Sequence, residues 1–132
     1  MAEIPAAFLD LLTQKVALAN IATVQPDGSP QVTPVWYDYT NGVVRVNTAK
    51  GRVKARNMSE GSKVALAIVD PDNDYRYIQI RGTVTKETTD GAVAHIDSLA
   101  KKYLGKDVYP YHNAKDVRVI YEITPASVNV MG

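Results

Sequence analysis

The chain has 132 residues, 45% of them hydrophobic and 22% charged, with a formal net charge of +1 and no cysteine. That is the length and composition of one ordinary globular domain, able to bury about two thirds of its unfolded surface without covalent staples. It excludes disulfides, thiolate catalysis and cysteine zinc sites, and the near-neutral balance argues against a whole-surface binder of nucleic acid or lipid.

In the N-terminal stretch MAEIPAAFLDLLTQK, Glu3 and Asp10 replace the positive start of a signal peptide and no run reaches membrane-spanning length, so no membrane contact and a cytoplasmic location are expected. Pro5 to Thr13 predicts a short helix riding on the core through Phe8, Leu9, Leu11 and Leu12. Val16 to Val24 is a nearly continuous apolar run, and the PDGSP after it is turn chemistry. Gln31 to Tyr39 predicts a second strand, interrupted by Pro34, which cannot donate to a ladder and so marks an edge or a place where something else approaches the backbone. Asn41-Gly42 is a two-residue hairpin signal, returning through Val43 to Thr48.

Val64 to Val69 predicts a buried strand that ends in the turn cluster DPDND. Tyr75 to Val84 alternates, placing Arg76, Ile78, Ile80, Gly82 and Val84 on one face and Tyr75, Tyr77, Gln79, Arg81 and Thr83 on the other. Thr89 to Leu104 follows a helical period with a stripe of Ala92, Val93, Ile96, Leu99, Ala100 and Tyr103, capped by Gly105. Arg118 to Ile123 and Ser127 to Val130 form a last strand broken at Pro125. Six short strands joined mainly by hairpins predict a mainly β fold, a six-stranded antiparallel barrel with peripheral helices, over a single domain spanning residues 1–132.

The charge is unevenly spread. Lys50, Arg52, Lys54, Arg56 and Lys63 face one acid, Glu60, giving +4 between residues 50 and 63 and −3 elsewhere. A helix over Lys50 to Met58, entered at Thr48-Ala49-Lys50-Gly51 straight after a strand, would place Lys50, Lys54 and Asn57 on one side and Arg52 and Arg56 on the other. Such an entrance suits a phosphate, and a solvated basic face explains the charges equally well. His95 is expected to be exposed, opposite the apolar stripe, and His112, in a loop with Tyr109 and Tyr111, to be a plain loop residue, with a substrate-facing role as the alternative. Two histidines in separate settings predict no metal site. The acids Asp70, Asp72 and Asp74 lack the glycine and glutamate of a calcium loop. No nucleophile elbow or marked carboxylate pair is present. Eight tyrosines against one phenylalanine favour half-wet surfaces such as clefts and interfaces.

The segments ATVQPDGSPQVTPVWYDY, VNTAKGRVKARNM, VALAIVDPDNDYRYIQIRGTV and HIDSLAKKYLG, in this order, resemble the split β-barrel flavin and deazaflavin reductases related to pyridoxamine 5′-phosphate oxidase. The similarity is closest to the branch that uses coenzyme F420. The resemblance implies a homodimer with two cofactor sites at the interface. It implies a phosphate held by Arg52, Lys54 and Asn57, with Asn47, Lys50 and the backbone of Thr48 and Ala49 at the helix entrance. The ring is expected along Gln31, Val32, Thr33, Pro34, Val35 and Trp36, and the partner is expected to contribute Tyr75, Tyr77 and Gln79. The implied activity is hydride transfer from reduced F420 to a small conjugated acceptor, stacked near Trp36 and Tyr77. FMN is the alternative cofactor, and a non-catalytic flavin or tetrapyrrole carrier the alternative role. Lys50 and Arg56 suit the acidic tail of F420 if they meet it, and favour FMN if they face water. Nucleic-acid binding is not expected, because no aromatic residue interleaves the cations.

Overall fold

The structure is a computed structural model that describes residues 2–132. Seven strands form one antiparallel sheet: β1 (Ala19–Val24), β2 (Pro30–Val35), β3 (Tyr37–Thr40), β4 (Val43–Ala49), β5 (Lys63–Asp70), β6 (Asn73–Thr88) and β7 (Arg118–Met131). Their order is β2-β1-β5-β6-β7-β4-β3. β2 and β3 therefore stand at opposite edges, yet only Trp36 separates them in sequence. Two Cα–Cα steps reach less than about 8 Å, so the sheet has to curl until its edges meet at that residue. A split barrel results, with Trp36 on the seam.

The fold class is as the sequence predicts, but the strand count is seven and not six. The expected strand Gln31 to Tyr39 divides at Trp36, because its two halves pair with different partners, β2 with β1 and β3 with β4. As an edge strand, β2 has a neighbour on one side only, which suits Pro34. The expected break at Pro125 is absent. β7 runs through it, with Gly82 opposite Pro125 and Arg81 opposite Ser127, so Ala126 is the extra residue of a bulge. Gly82 is required there: a Cβ would lie 2.5 Å from the Thr124 carbonyl oxygen. Asn41 and Gly42 both take positive φ, the pair of angles a two-residue hairpin needs.

The concave face carries the core. Ile21, Val44, Val46, Leu66, Ile68, Ile78, Ile80, Val84 and Ile123 are almost fully buried on alternate positions of their strands. Each contributes about 1.5–3 kcal/mol relative to an exposed side chain. A 3-10 turn (Ala6–Phe8) and α1 (Leu9–Thr13) close one end through Leu11 and Leu12, and the buried Tyr37 hydroxyl donates to the Leu11 carbonyl at 2.6 Å.

Two helical expectations are corrected. The basic helix is a single turn, α2 (Val53–Arg56), and not the whole of Lys50 to Met58. Gly51 at φ 93 reverses the chain and Arg52 is extended, so Thr48 and Ala49 stay inside β4, paired with Val119 and Arg118. In α3 (Ala92–Leu104) His95 is buried and Val93 is 55% exposed, the reverse of the expected roles. His95 lies three residues after Ala92 and four before Leu99, within the buried face, and polarity alone misplaced it. The α3 caps at Gly91 and Gly105 are both left-handed.

Candidate functional site

The seam opens into a cleft of about 280 Å³. Pro34, Val35 and Trp36 form its edge-strand wall, and Tyr109 and Tyr111, from the segment between α3 and β7, form another. Trp36 lies flat on Tyr103, ring centres 5.0 Å apart and planes within 5°. Tyr109 meets Trp36 edge-on at 6.0 Å. Tyr103 is itself fixed: its hydroxyl donates to the Ala17 carbonyl at 2.6 Å and accepts the Tyr37 N–H at 3.3 Å. Burial pushes the Tyr103 phenol up to about 12, so it stays protonated and serves as a brace.

The floor is cationic. Arg52 and Lys54, from the turn before α2 and from α2 itself, meet Arg118 at the start of β7, and no aspartate or glutamate lines the cleft among the described residues. Burial, reinforced by Arg52 and Arg118, lowers the Lys54 ammonium below its ordinary value. Burial also lowers Arg118, with Arg52 adding to the effect. Arg118 is 8% exposed, its Nε donates to Asn47 Oδ1 at 2.9 Å, and its Nη1 is buried without a hydrogen-bond partner. Its guanidinium carbon lies 5.5 Å from the Tyr109 ring centre. Partly buried like charges with an unused donor are costly unless an anion joins them. The residues present therefore fit a phosphate or carboxylate group.

The sequence matches the family described as pyridoxamine 5′-phosphate oxidase over residues 4–132. The chain belongs to that family. Among solved structures, an F420 reductase is 31% identical, with 96% of this chain and 98% of that one covered and a TM-score of 0.80. A conserved hypothetical protein from Mycobacterium tuberculosis is 19% identical, covering 99% of this chain and 86% of its own at a TM-score of 0.74. An FAD and heme binding protein from Mycobacterium smegmatis is 16% identical, covering 98% and 71% at a TM-score of 0.69. Those last two show the shared fold alone. No curated protein matches the chain in sequence. The flavin and deazaflavin split-barrel superfamily expected from the sequence is thus established, and with it a fold used by flavin-type oxidoreductases.

Of the residues that the family resemblance singled out, the cleft gathers Pro34, Val35, Trp36, Asn47, Arg52 and Lys54. Gln31, Thr33 and Asn57 join instead through Thr23: Asn57 Nδ2 donates to Thr23 Oγ1 at 3.0 Å, Thr23 to Gln31 Oε1 at 3.1 Å, and Gln31 Nε2 to Thr33 Oγ1 at 2.5 Å. Val32 is 67% exposed on the edge strand. Thr48 and Ala49 are buried in the ladder, and the Thr48 hydroxyl has no partner. Lys50 and Arg56 line a different hollow, with Glu87 and Tyr121. The expected pairing is thus rearranged, with Arg52 beside Lys54 and Lys50 beside Arg56, because the chain turns at Gly51. Tyr75, Tyr77 and Gln79 lie on β6, outside this cleft. Sequence reasoning missed Arg118, Tyr103 and Tyr109. Arg118 is 62 or more positions from the basic segment Lys50–Arg56, and only the β4–β7 pairing brings it there. A separate hollow of about 490 Å³ is a mainly apolar depression including Ala22, Val24, Ala65 and Ala126, with Lys63 and Arg81 also in its lining, and holds none of these candidates.

Proposed function

We propose that the protein is an F420-dependent reductase that passes a hydride to a small, planar, conjugated organic acceptor. The observation that carries this reading is the cluster of Arg52, Lys54 and Arg118 in a cleft with no acid in its lining, beside the free edge of β2. The three cations would hold the cofactor phosphate through charge-assisted bonds. The α2 dipole contributes little, since one turn has few aligned peptides. The β2 edge with Pro34, and the Trp36–Tyr103 stack, would position the ring and keep water from one side of it. When bound, the reduced deazaflavin supplies the hydride, so the protein needs to furnish placement and electrostatics only. The likeness to the F420 reductase favours this cofactor over FMN.

One observation favours FMN instead: Lys50 and Arg56 stand apart from the cleft, so the cations suited to an acidic tail are not beside the phosphate cations in a single chain. A second copy of the chain is part of the proposal. Tyr75 is 81% exposed, and the apolar depression across β1, β5 and β6 is a face that a partner would cover, bringing Tyr75, Tyr77 and Gln79 toward the other subunit's cleft. Titration of purified protein with F420 and with FMN decides the cofactor; micromolar FMN binding with none for F420 would overturn the preference. Oxidation of reduced F420 across quinones, enones and biliverdin tests turnover, and binding without oxidation would favour a carrier. Light scattering tests the dimer.

A further inference from the structure

A chain of hydrogen bonds leads from the cleft into the protein. Arg118 Nε donates to Asn47 Oδ1 at 2.9 Å. Asn47 Nδ2 donates to the Ala92 carbonyl at 2.8 Å and lies 3.1 Å from His95 Nδ1. His95 Nε2 lies 3.1 Å from Asp38 Oδ2, and Asp38 is gripped by Arg45 through two bonds of 2.8 and 2.7 Å. His95 is 5% exposed and Asn47 9%. Each contact from Arg118 Nε to Asp38 pairs a donor with an acceptor, Arg118 Nη1 being the donor left over, and a matched buried network holds one geometry.

The chemistry of the end groups fixes every proton between them. A guanidinium only donates and a carbonyl only accepts, so the Asn47 amide has a single orientation that satisfies both Arg118 and Ala92. Its second N–H then faces His95 Nδ1, which has to be bare. The ring proton therefore sits on Nε2 and is donated to Asp38. Burial pushes the Asp38 carboxyl up, but the bonds from His95 and Arg45 outweigh it and hold it below its ordinary range, so it is an acceptor. Flipping the ring tautomer would set N–H against N–H at Asn47 and leave Asp38 facing a bare nitrogen. Turning the amide to relieve that would set its NH2 group against Arg118.

We infer that His95 is a positioning residue for the cationic cleft: held in the Nε2-protonated tautomer by Asp38, it adds a second acceptor to the Ala92 carbonyl and so holds the Asn47 amide rigidly in the orientation that anchors Arg118. The residue acts through two others and does not touch the ligand. It converts a flexible arginine into a preorganised donor, which reduces the ordering cost of binding an anion. The link to cofactor binding rests on the proposed function; the relay itself does not.

The experiment has two parts. Nitrogen-15 spectra of the histidines in the free wild-type protein at neutral pH should show His95 protonated at Nε2 and bare at Nδ1, with Arg118 Nε–H exchanging slowly with water. His95→Phe should raise that exchange rate and weaken F420 or FMN binding by roughly tenfold, the worth of one buried hydrogen bond. Asn47→Leu should do the same, and the double variant should lose no more than Asn47→Leu alone. Asp38→Asn, whose side-chain carbonyl still accepts from Nε2–H, should retain the slow exchange. A proton on Nδ1, unchanged Arg118 exchange in His95→Phe, or additive losses in the double variant would each overturn the relay. If neither cofactor binds the wild type, the functional reading fails while the ligand-free spectra still decide the relay. If His95→Phe does not fold, the wild-type tautomer still decides it, since a proton on Nδ1 would set N–H against the Asn47 amide N–H and overturn the relay.

Discussion

Two clusters of charge in this molecule use the same residue types to opposite ends. At the closed end of the barrel, Arg76 is paired through both terminal nitrogens: it bonds Asp10 at 2.6 and 3.1 Å, Asp70 at 2.9 Å and the Ala7 carbonyl at 2.8 Å, and its guanidinium lies 4.8 Å from the Phe8 ring centre. Lys15 adds pairs to Asp72 at 2.6 Å and Asp70 at 3.6 Å. These bonds clip the N-terminal turn and α1 to β5 and β6. At the seam, Arg52, Lys54 and Arg118 gather in a cleft with no carboxylate in its lining, and burial, reinforced by the neighbouring cations, lowers Lys54 and Arg118 below their ordinary values. Paired cations hold elements together, whereas unpaired ones raise the free energy of the empty protein and lower it when an anion arrives. The paired cluster is architecture, and the unpaired one is the proposed binding site.

The contrast is broken most strongly by Lys54→Glu, which should reduce cofactor affinity at least ~100-fold, the scale of losing a charged hydrogen bond and adding repulsion, while thermal melting shows an intact fold. Next, Arg76→Met should cause the larger fall in melting temperature, since it takes the nearest cation from Asp70, which is 4% exposed and keeps only Lys15 at 3.6 Å and the Asp72 N–H, while cofactor affinity measured by titration stays unchanged. Lys54→Met should do the reverse, leaving the melting temperature level or raised and affinity roughly tenfold weaker.

Two pH profiles sharpen the same contrast with smaller effects. The Arg76 bonds hold the Asp10 carboxyl below its ordinary 3.8, and the Asp72 backbone N–H, then Arg76, do so for Asp70. A depressed carboxylate stabilises the fold above its unfolded value, and the benefit is lost as pH falls through the folded one. Melting temperature should therefore drop steeply below pH 3.8, and Arg76→Met should flatten that drop. At the seam the sign is opposite. Lys54 titrates below 10.5, and an anion favours its charged form, so affinity should weaken on the alkaline side earlier than for an ordinary lysine. Lys54→Arg, which stays charged, should remove that dependence.

The antiparallel strands were legible because the sheet buries one face and polarity alternates along β6, and the Asn41-Gly42 turn because few other dipeptides take those angles. Half of the site was legible too. Arg52 and Lys54 announced themselves as local charge, and Pro34 as a gap in a ladder. His95 was misread, since a polar residue on an apolar helix face looks like a solvent residue until its partners Asp38 and Asn47 are known.

What the sequence determined by itself was everything that depends on neighbours along the chain: alternation, turn chemistry, helix caps and the density of positive charge between Lys50 and Lys63. Only the tertiary structure decided that residue 36 is a seam, that Arg118 completes the cationic floor, and that Lys50 and Arg56 turn away from it. These depend on how a sheet curls and which strands pair across it. That is set by burying a whole face at once, and no short window of sequence carries it.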